Sequence, residues 1–259
     1  MKDPLKQMVE GYVLQKALLL RDIAAASRNF DNLRVFLDTR IVLQVLGYQD
    51  DAARVASIQM VDLLKRRNAR VEVFQDTLDE ITRIFHVYES KLGSQKGRES
   101  LYGNPLTRYF LNNGFTPADV RSRIATLNKD VQRLGLPVRK RPSREASFTL
   151  DEKALATSLG ADDVTDVEHR VWHDVNCVAA ILTWRRGFET EQIEAAKAVF
   201  VTSTGLVVKN VRQWWQQQRK GIPGSSDSTR LLPPVIHQIT LSNYVWLKKP
   251  HASEDLKLN

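Results

Sequence analysis

The chain has 259 residues and a formal net charge of +8, and its length suits one large domain or one domain with a sizeable insert. Hydrophobic residues make up 42% of the chain, which excludes an intrinsically disordered protein. The sequence has no apolar run of about 18 residues, and Cys177 is the single cysteine. These features exclude a membrane-spanning helix, a disulfide framework and a cysteine-rich zinc module.

Short β-rich runs alternate with amphipathic helical patterns along most of the chain. Glycine and proline break the alternation between residues 89 and 150. In chain order the patterns predict helix 5–27, strand 33–37, helix 41–46, helix 51–67, strand 71–74, helix 77–88, helix 117–134 capped by Thr116, an exposed basic loop 135–144, helix 151–158, helix 162–186, strand 198–201, helix 205–218, a short strand at 235–236 and helix 239–247.

Strands that alternate with helices are typical of an α/β domain with a central parallel sheet flanked by helices. The irregular stretch 89–160 is interpreted as a partly helical insert or lid in this domain. The opening segment MKDPLKQMVEGY lacks the apolar core of a signal peptide. Together with the single cysteine, this predicts a cytoplasmic protein in a reducing compartment, without a membrane partner.

Three acidic residues fall where a parallel sheet binds ligands, at the edge formed by the carboxyl ends of its strands. Asp38 directly follows the apolar run Val35-Phe36-Leu37, Glu80 lies early in the helix after the second strand, and Asp174 lies in the long helix 162–186. If they converge, they form an oxygen-rich site of the kind that Mg²⁺ or Mn²⁺ prefers. Such an ion activates water and stabilises a phosphodiester transition state.

Each acid also has an ordinary structural interpretation. Asp38 suits the N-cap of the next helix, and Glu80 suits a solvated helix surface. Asp174 lies one turn from Arg170 and suits a pair with it. The apolar strand before Asp38 favours the functional interpretation there, and Asp38 in turn supports Glu80.

Four segments resemble the PIN-domain nucleases. Val35-Phe36-Leu37-Asp38-Thr39 resembles their opening strand, which ends in Asp followed by Thr or Ser, and FQDTLDEI (74–81) is similar to their second strand and helix, with Glu80 as the second acid. The helix from His173-Asp174-Val175 resembles the one that carries the third acid, and AVFVTSTGL (198–206) resembles a later strand. The resemblance covers 33–88 and 161–247, about half of the chain.

The resemblance implies a nuclease domain over 33–88 and 161–247, with an N-terminal helix in 1–32, the insert 89–160 and a C-terminal tail 248–259. It implies Mg²⁺- or Mn²⁺-dependent hydrolysis of RNA by a toxin or an anti-phage effector. Asp38 would be the central metal ligand, Glu80 would bridge metal and attacking water, and Asp174 would complete the shell. The hydroxyls expected to contact substrate belong to Thr39, Thr202 and Ser203.

The chain departs from the family pattern at two site positions. Thr204 stands where the family has its fourth acid, and Arg40 replaces the usual Asn after Asp-Thr. The missing acid argues against a two-metal mechanism and leaves one metal on three acids. It also keeps open the alternative of a catalytically decayed module that binds nucleic acid or a protein.

Basic residues cluster in two segments that are predicted to hold RNA, with DNA as an alternative. The first is the loop with Arg139, Lys140, Arg141 and Arg144. In the second, Lys209, Arg212, Arg219 and Lys220 flank Trp214 and Trp215, whose indoles either stack on bases or pack in the core. Other partners left open are a protein inhibitor or defence complex, and a second copy of the chain, joined through the N-terminal helix.

His169 and His173 share one helix face, but their order with Glu168 does not match a zinc-protease motif. They are therefore interpreted as surface or structural histidines. Cys177 lies among Val175, Val178 and Ala180 and is predicted to be a small buried hydrophobe.

Overall fold

A computed structural model describes residues 29–101, 103–143, 150–160, 165–219 and 231–247, without the side chains of 165–170. The predicted helix 5–27 and the tail 248–259 lie outside these residues, as do Arg144 and Lys220. Among the described helices, none combines the length and apolar composition needed to cross a membrane.

The described chain forms five strands and ten α-helices, with one short 3₁₀ turn at Ile193–Ala195. The strands are β1 (Arg34–Leu37), β2 (Arg70–Phe74), β3 (Val138–Arg139), β4 (Ala198–Thr202) and β5 (Val235–His237). The helices are α1 (Thr39–Val45), α2 (Asp51–Arg66), α3 (Gln75–Leu92), α4 (Gln95–Glu99), α5 (Pro105–Asn112), α6 (Pro117–Arg133), α7 (Glu152–Ser158), α8 (Thr165–Arg185), α9 (Gly205–Arg219) and α10 (Gln238–Leu247).

All five strands run parallel in one sheet, in the order β3-β2-β1-β4-β5. This confirms the predicted α/β architecture. The strands can be predicted because β1 and β4 are covered on both faces and therefore read as continuous apolar runs. The predicted strands at 33–37, 71–74, 198–201 and 235–236 are confirmed to within a few residues.

Helices cover both faces of the sheet, which gives three layers. Successive side chains of a strand point to opposite faces, so Val35 and Leu37 join one hydrophobic core and Phe36 joins the other. The first core is closed by α1, α2, α3, α5, α6 and α10, and the second by α7, α8 and α9. In the second core the ring of Phe36 stacks on Phe74 at 4.0 Å and on Trp184 at 4.8 Å between ring centroids.

The predicted insert contributes helices to the first core. Phe110 of α5 is fully buried, and its ring lies 4.8 Å from that of Tyr88 and 5.5 Å from that of Phe85, both in α3. Helix α6 begins as predicted, because the side chains of Thr116 and Asp119 each accept a hydrogen bond from the other residue's main-chain N–H, at 3.3 and 2.8 Å. This segment therefore packs against α3 through an aromatic cluster.

The basic stretch 135–144 differs from the predicted exposed loop, because Val138–Arg139 form the edge strand β3, paired with β2. The physical reason is Glu72 in β2, whose side chain is only 2% exposed. Its two oxygens bind Arg34 at 2.9 Å and Arg139 at 2.8 Å. A buried carboxylate needs such partners, so Arg139 holds the edge strand against the sheet.

Candidate metal centre

The candidate site lies where β1 and β4 end side by side. Within the sheet, β2 is the neighbour of β1 on one side and β4 is its neighbour on the other side. This arrangement makes a crevice at the carboxyl edge, the usual ligand site of an open parallel sheet. Because Leu37 is paired with Val201, Asp38 and Thr202 meet at the crevice.

Three hydrogen bonds fix the main-chain N–H and the carboxylate of Asp38. Its main-chain N–H donates to the carbonyl of Val201 at 2.9 Å. Its Oδ1 accepts from the N–H of Thr39 at 2.7 Å, and its Oδ2 accepts from the Thr202 hydroxyl at 2.6 Å. Asp38 is therefore the N-cap of α1, which is the ordinary structural role that its position predicts. It is also a buried carboxylate at the carboxyl edge of the sheet, 7% exposed.

Glu80 reaches the same point from the second turn of α3. The hydroxyl of Thr39 donates to Oε2 of Glu80, and the Glu80 side chain is 14% exposed. Thr39 therefore links the two acids, since its N–H contacts Asp38 while its hydroxyl contacts Glu80. A role of this hydroxyl in contacting substrate stays a prediction.

His173 is the third member of the cluster, and its side chain is 1% exposed. Its Nδ1 lies 3.3 Å from Oε2 of Glu80, while its Nε2 lies 3.1 Å from the Thr77 hydroxyl and 3.5 Å from Sγ of Cys177. Burial by itself lowers the pKa of His173, but the adjacent thiol and the carboxylates of Asp174 and Glu80 outweigh it, so the pKa lies well above its usual value.

Asp174 lies beside this cluster, with Oδ1 3.3 Å from Nδ1 of His173 and a side chain that is 22% exposed. Burial raises the pKa of Asp174 to about 6. This value is the net result, in which hydrogen bonding to His173 lowers the pKa and the negative charges of Asp38 and Glu80 add to the effect of burial. The metal-free site therefore holds more negative charge than its burial favours.

Three of these side chains have the spacing of a metal site. One donor atom each from Asp38, Glu80 and His173 lie within 4.8 Å of one another. Adjacent ligands at about 2.1 Å from an octahedral ion are about 3.0 Å apart, so small side-chain shifts bring the three onto one ion. Within the described part of the chain, Asp174 does not belong to a group this tight.

The loop after β4 completes the crevice. Thr202 is 1% exposed, and its hydroxyl, besides donating to Asp38, accepts from the N–H of Thr204 at 3.0 Å. The hydroxyl of Ser203 is buried and has no hydrogen-bond partner among the described residues. Because an unsatisfied buried hydroxyl is costly, this group is suited to a ligand. The carbonyl of Ser203 lies 3.1 Å from Nε2 of His237.

The basic residues predicted to contact substrate fall into two groups, those paired with acidic residues of this chain and those exposed to solvent. Arg139 is bound to Glu72, and Arg141 lies 3.1 Å from the carboxylate of Asp76 and donates to the side chain of Asn176 at 2.8 Å. The other predicted contacts, Lys140, Lys209 and Arg212, are exposed. Two of the predicted phosphate contacts therefore bind acidic residues of this chain.

Trp214 and Trp215 both belong to the second core, each 4% exposed. The guanidinium of Arg219 covers the ring of Trp215 at 4.5 Å and pairs with Glu189. Of the two alternatives for this tryptophan pair, the structure therefore shows packing in the core. A cavity of about 290 Å³ lies beside the two indoles and Arg185. Because α8 rises 1.5 Å per residue, Arg185 lies about 16 Å along the helix from Asp174, so the cavity is separate from the cluster.

No family model, curated protein or solved structure matches this chain.

The histidine of the cluster is the site residue that sequence reasoning missed. The pattern around His169 and His173 predicts surface or structural histidines, because it does not match a zinc-protease motif. The available signal was position, since His173 precedes the predicted acid Asp174 and shares a helix face with Cys177. Tertiary packing points the imidazole, rather than the neighbouring carboxylate, at Glu80.

Proposed function

We propose that the protein is a metal-dependent ribonuclease of PIN type that hydrolyses RNA phosphodiester bonds at the centre formed by Asp38, Glu80 and His173. The observation that carries the proposal is the convergence of two carboxylates and an imidazole on one point at the carboxyl edge of a parallel sheet. The resemblance of 33–39 and 74–81 to the PIN nucleases supports the same reaction.

The residues of the centre are positioned before any ligand arrives. Asp38 is held by Thr39 and Thr202, and Glu80 is held by Thr39. Such support keeps the ligand atoms within the narrow tolerance of a working site. A divalent cation bound by these groups would polarise the phosphate and lower the pKa of a coordinated water.

Asp174 is suited to position the attacking water. Its side chain contacts His173 and is 22% exposed, so it reaches from the cluster towards solvent. A carboxylate in this place accepts a hydrogen bond from water and orients it towards the phosphorus. Ser203 supplies the second contact, because its hydroxyl, without a partner in the described part of the chain, can donate to a phosphate oxygen.

Exposed cations at the same edge fit a phosphate backbone. Arg40 follows Thr39 in the first turn of α1, and Lys209 lies in the second turn of α9, which begins at the carboxyl end of β4. Two exposed apolar residues, Leu206 (64%) and Ile239 (59%), begin the helices after β4 and β5. A surface with both cations and apolar side chains suits the backbone and bases of a single strand.

The test is cleavage of a fluorescent single-stranded RNA with Mn²⁺, with EDTA, and by the Asp38→Asn variant. The matched control is Asp79→Asn, which makes the same chemical change at an exposed position next to Glu80. We expect activity for the wild type and the control in Mn²⁺, and its loss in EDTA and in Asp38→Asn. Cleavage that survives both EDTA and Asp38→Asn refutes the proposal.

A non-catalytic binding module is the second candidate, favoured by Thr204, an exposed residue without a carboxylate at the fourth acidic position. In that case RNA binds without being cut, affinity falls steeply with salt, and EDTA at constant ionic strength leaves the affinity unchanged.

A further inference from the structure

We propose that His173 is a metal ligand through its Nδ1, and that the resulting site of two oxygens and one nitrogen selects a first-row transition ion such as Mn²⁺ over Mg²⁺. The inference rests on the metal site of the proposed function and does not depend on RNA being the substrate. It replaces the expected third oxygen ligand, Asp174, by an imidazole nitrogen.

The orientation of the imidazole singles out Nδ1. This atom lies 3.3 Å from Oε2 of Glu80, which is close to the spacing of two ligands on one ion. The opposite nitrogen, Nε2, points away from the carboxylates towards Thr77 and Cys177. The side chain is 1% exposed and enclosed by α3, α8 and β4, so it cannot turn over without repacking.

Thr77 supplies the support that a ligating histidine requires. A metal-bound Nδ1 carries no proton, so Nε2–H must donate to a neighbour, and the Thr77 hydroxyl lies 3.1 Å away. Thr77 is fully buried in the first turn of α3, on the same helix as Glu80. One helix thus provides both a ligand and the hydrogen-bond acceptor that fixes the tautomer of another.

The donor set determines the choice of ion. Mg²⁺ is a hard cation that takes oxygen ligands and keeps several waters, and it gains little from imidazole. Imidazole suits first-row transition ions such as Fe²⁺, Ni²⁺ and Zn²⁺, and Mn²⁺, the weakest binder of that series, accepts the nitrogen more readily than Mg²⁺ does. Asp174, the nearest carboxylate beyond the three ligands, would then contact the ion through a bound water rather than directly.

The test compares Mn²⁺ and Mg²⁺ binding to the metal-free protein by calorimetry, with pulsed EPR of the Mn²⁺ complex. We expect Mn²⁺ to bind more than about tenfold tighter than Mg²⁺, with nitrogen coupling from one imidazole in the EPR signal. In His173→Gln the coupling disappears and the Mn²⁺ affinity falls about tenfold or more, while the Mg²⁺ affinity changes less than about threefold. The control is His86→Gln, at a histidine with a 59% exposed side chain on α3.

Thr77→Val tests the supporting hydrogen bond without a change in shape. We expect it to lower Mn²⁺ affinity about tenfold, and Thr77→Ser to restore most of the loss. The EPR measurement on the wild type needs no variant, so a variant that fails to fold leaves the test intact. Bound Mn²⁺ without nitrogen coupling overturns the proposal.

The outcomes for the ion and for the reaction are distinguishable. If Mn²⁺ binds with nitrogen coupling but RNA is not cut, the ribonuclease proposal fails and the His173 ligand stands. If RNA is cut equally well with Mg²⁺ and the Mn²⁺ signal shows no nitrogen, the ribonuclease proposal stands and the His173 ligand fails. If neither ion binds, both fail.

Discussion

Replacing Asp174 by asparagine is expected to stabilise the metal-free protein at neutral pH. In the wild type this carboxylate is largely removed from water and is also crowded by Asp38 and Glu80, which together raise its pKa to about 6. Asparagine keeps the shape of the side chain and removes the charge. The variant therefore relieves repulsion among the carboxylates of the candidate metal centre.

The magnitude follows from the pKa difference. The pKa of Asp174 rises from 3.8 to about 6, and each pKa unit corresponds to about 1.4 kcal/mol. The wild type thus loses up to about 3 kcal/mol of unfolding free energy at pH 8. Because the side chain is 22% exposed and solvent screens the interaction, we expect a gain of about 1–3 kcal/mol in Asp174→Asn.

The pH dependence has a defined sign. A carboxyl with a raised folded-state pKa favours the folded state while it is protonated, below its unfolded pKa. That contribution is lost as the pH rises through about 6. The advantage of Asp174→Asn over the wild type should therefore be small near pH 4, grow between pH 4 and 6, and be constant above pH 7.

The assay is urea denaturation in EDTA at a series of pH values, with Asp79→Asn as the exposed control. Saturating Mn²⁺ should then stabilise the wild type, because a ligand that binds only the folded state adds to its stability. If Asp174→Asn is no more stable than the wild type at pH 8 in EDTA, the electrostatic description of the site is wrong.

Three further results are expected. Changing both Arg34 and Arg139 to methionine should cost about 3–5 kcal/mol of unfolding free energy in urea, because it leaves Glu72 buried without a cation, and adding Glu72→Leu should recover most of the loss. Thr202→Val should lower Mn²⁺ affinity measured by calorimetry, because it removes a 2.6 Å hydrogen bond to the Asp38 carboxylate. Lys209→Ala should reduce the salt slope of single-stranded RNA binding by about 0.7, as expected for one lost phosphate contact.

Each of these has an outcome that contradicts it. A triple variant no more stable than the double variant would show that Glu72 is not the cause of the loss. Unchanged Mn²⁺ affinity in Thr202→Val means that Asp38 needs no support, and an unchanged salt slope places Lys209 outside the RNA contact.

The carboxylate of Asp38 could be located from the sequence because its position depends on local order. A run of buried residues, Val35 to Leu37, followed at once by an acid and a helical pattern, specifies a strand, its end and a cap. The same holds for Glu80, which lies at a fixed distance from the end of β2. Such positions follow from periods of two and 3.6 residues, which the sequence displays directly.

In helix α8, by contrast, local periodicity does not determine which side chain enters the site. Its periodicity predicts a helix but does not decide which of the adjacent residues His173 and Asp174 points at Glu80, because a rotation of one residue, about 100°, exchanges them. Packing of Val171, Val175 and Val178 in the second core sets that rotation and turns the imidazole inward.

The strand β3 is a second feature that local sequence patterns do not predict. It spans Val138–Arg139, too short for a period to be visible, and it is held by the pair of Arg139 with the buried Glu72. A long-range ion pair of this kind has no local signature. The basic loop predicted to hold RNA therefore becomes partly structural.

The sequence by itself determined the α/β class, four of the five strands, and the positions of Asp38 at the end of β1 and of Glu80 in the helix after β2. The tertiary structure alone decided that the strands run in the order β3-β2-β1-β4-β5, that His173 rather than Asp174 joins the tight cluster, and that Trp214 and Trp215 are buried. The physical reason is that local periodicity fixes a residue's place on its own element, whereas contacts between elements depend on how whole helices and strands pack against one another.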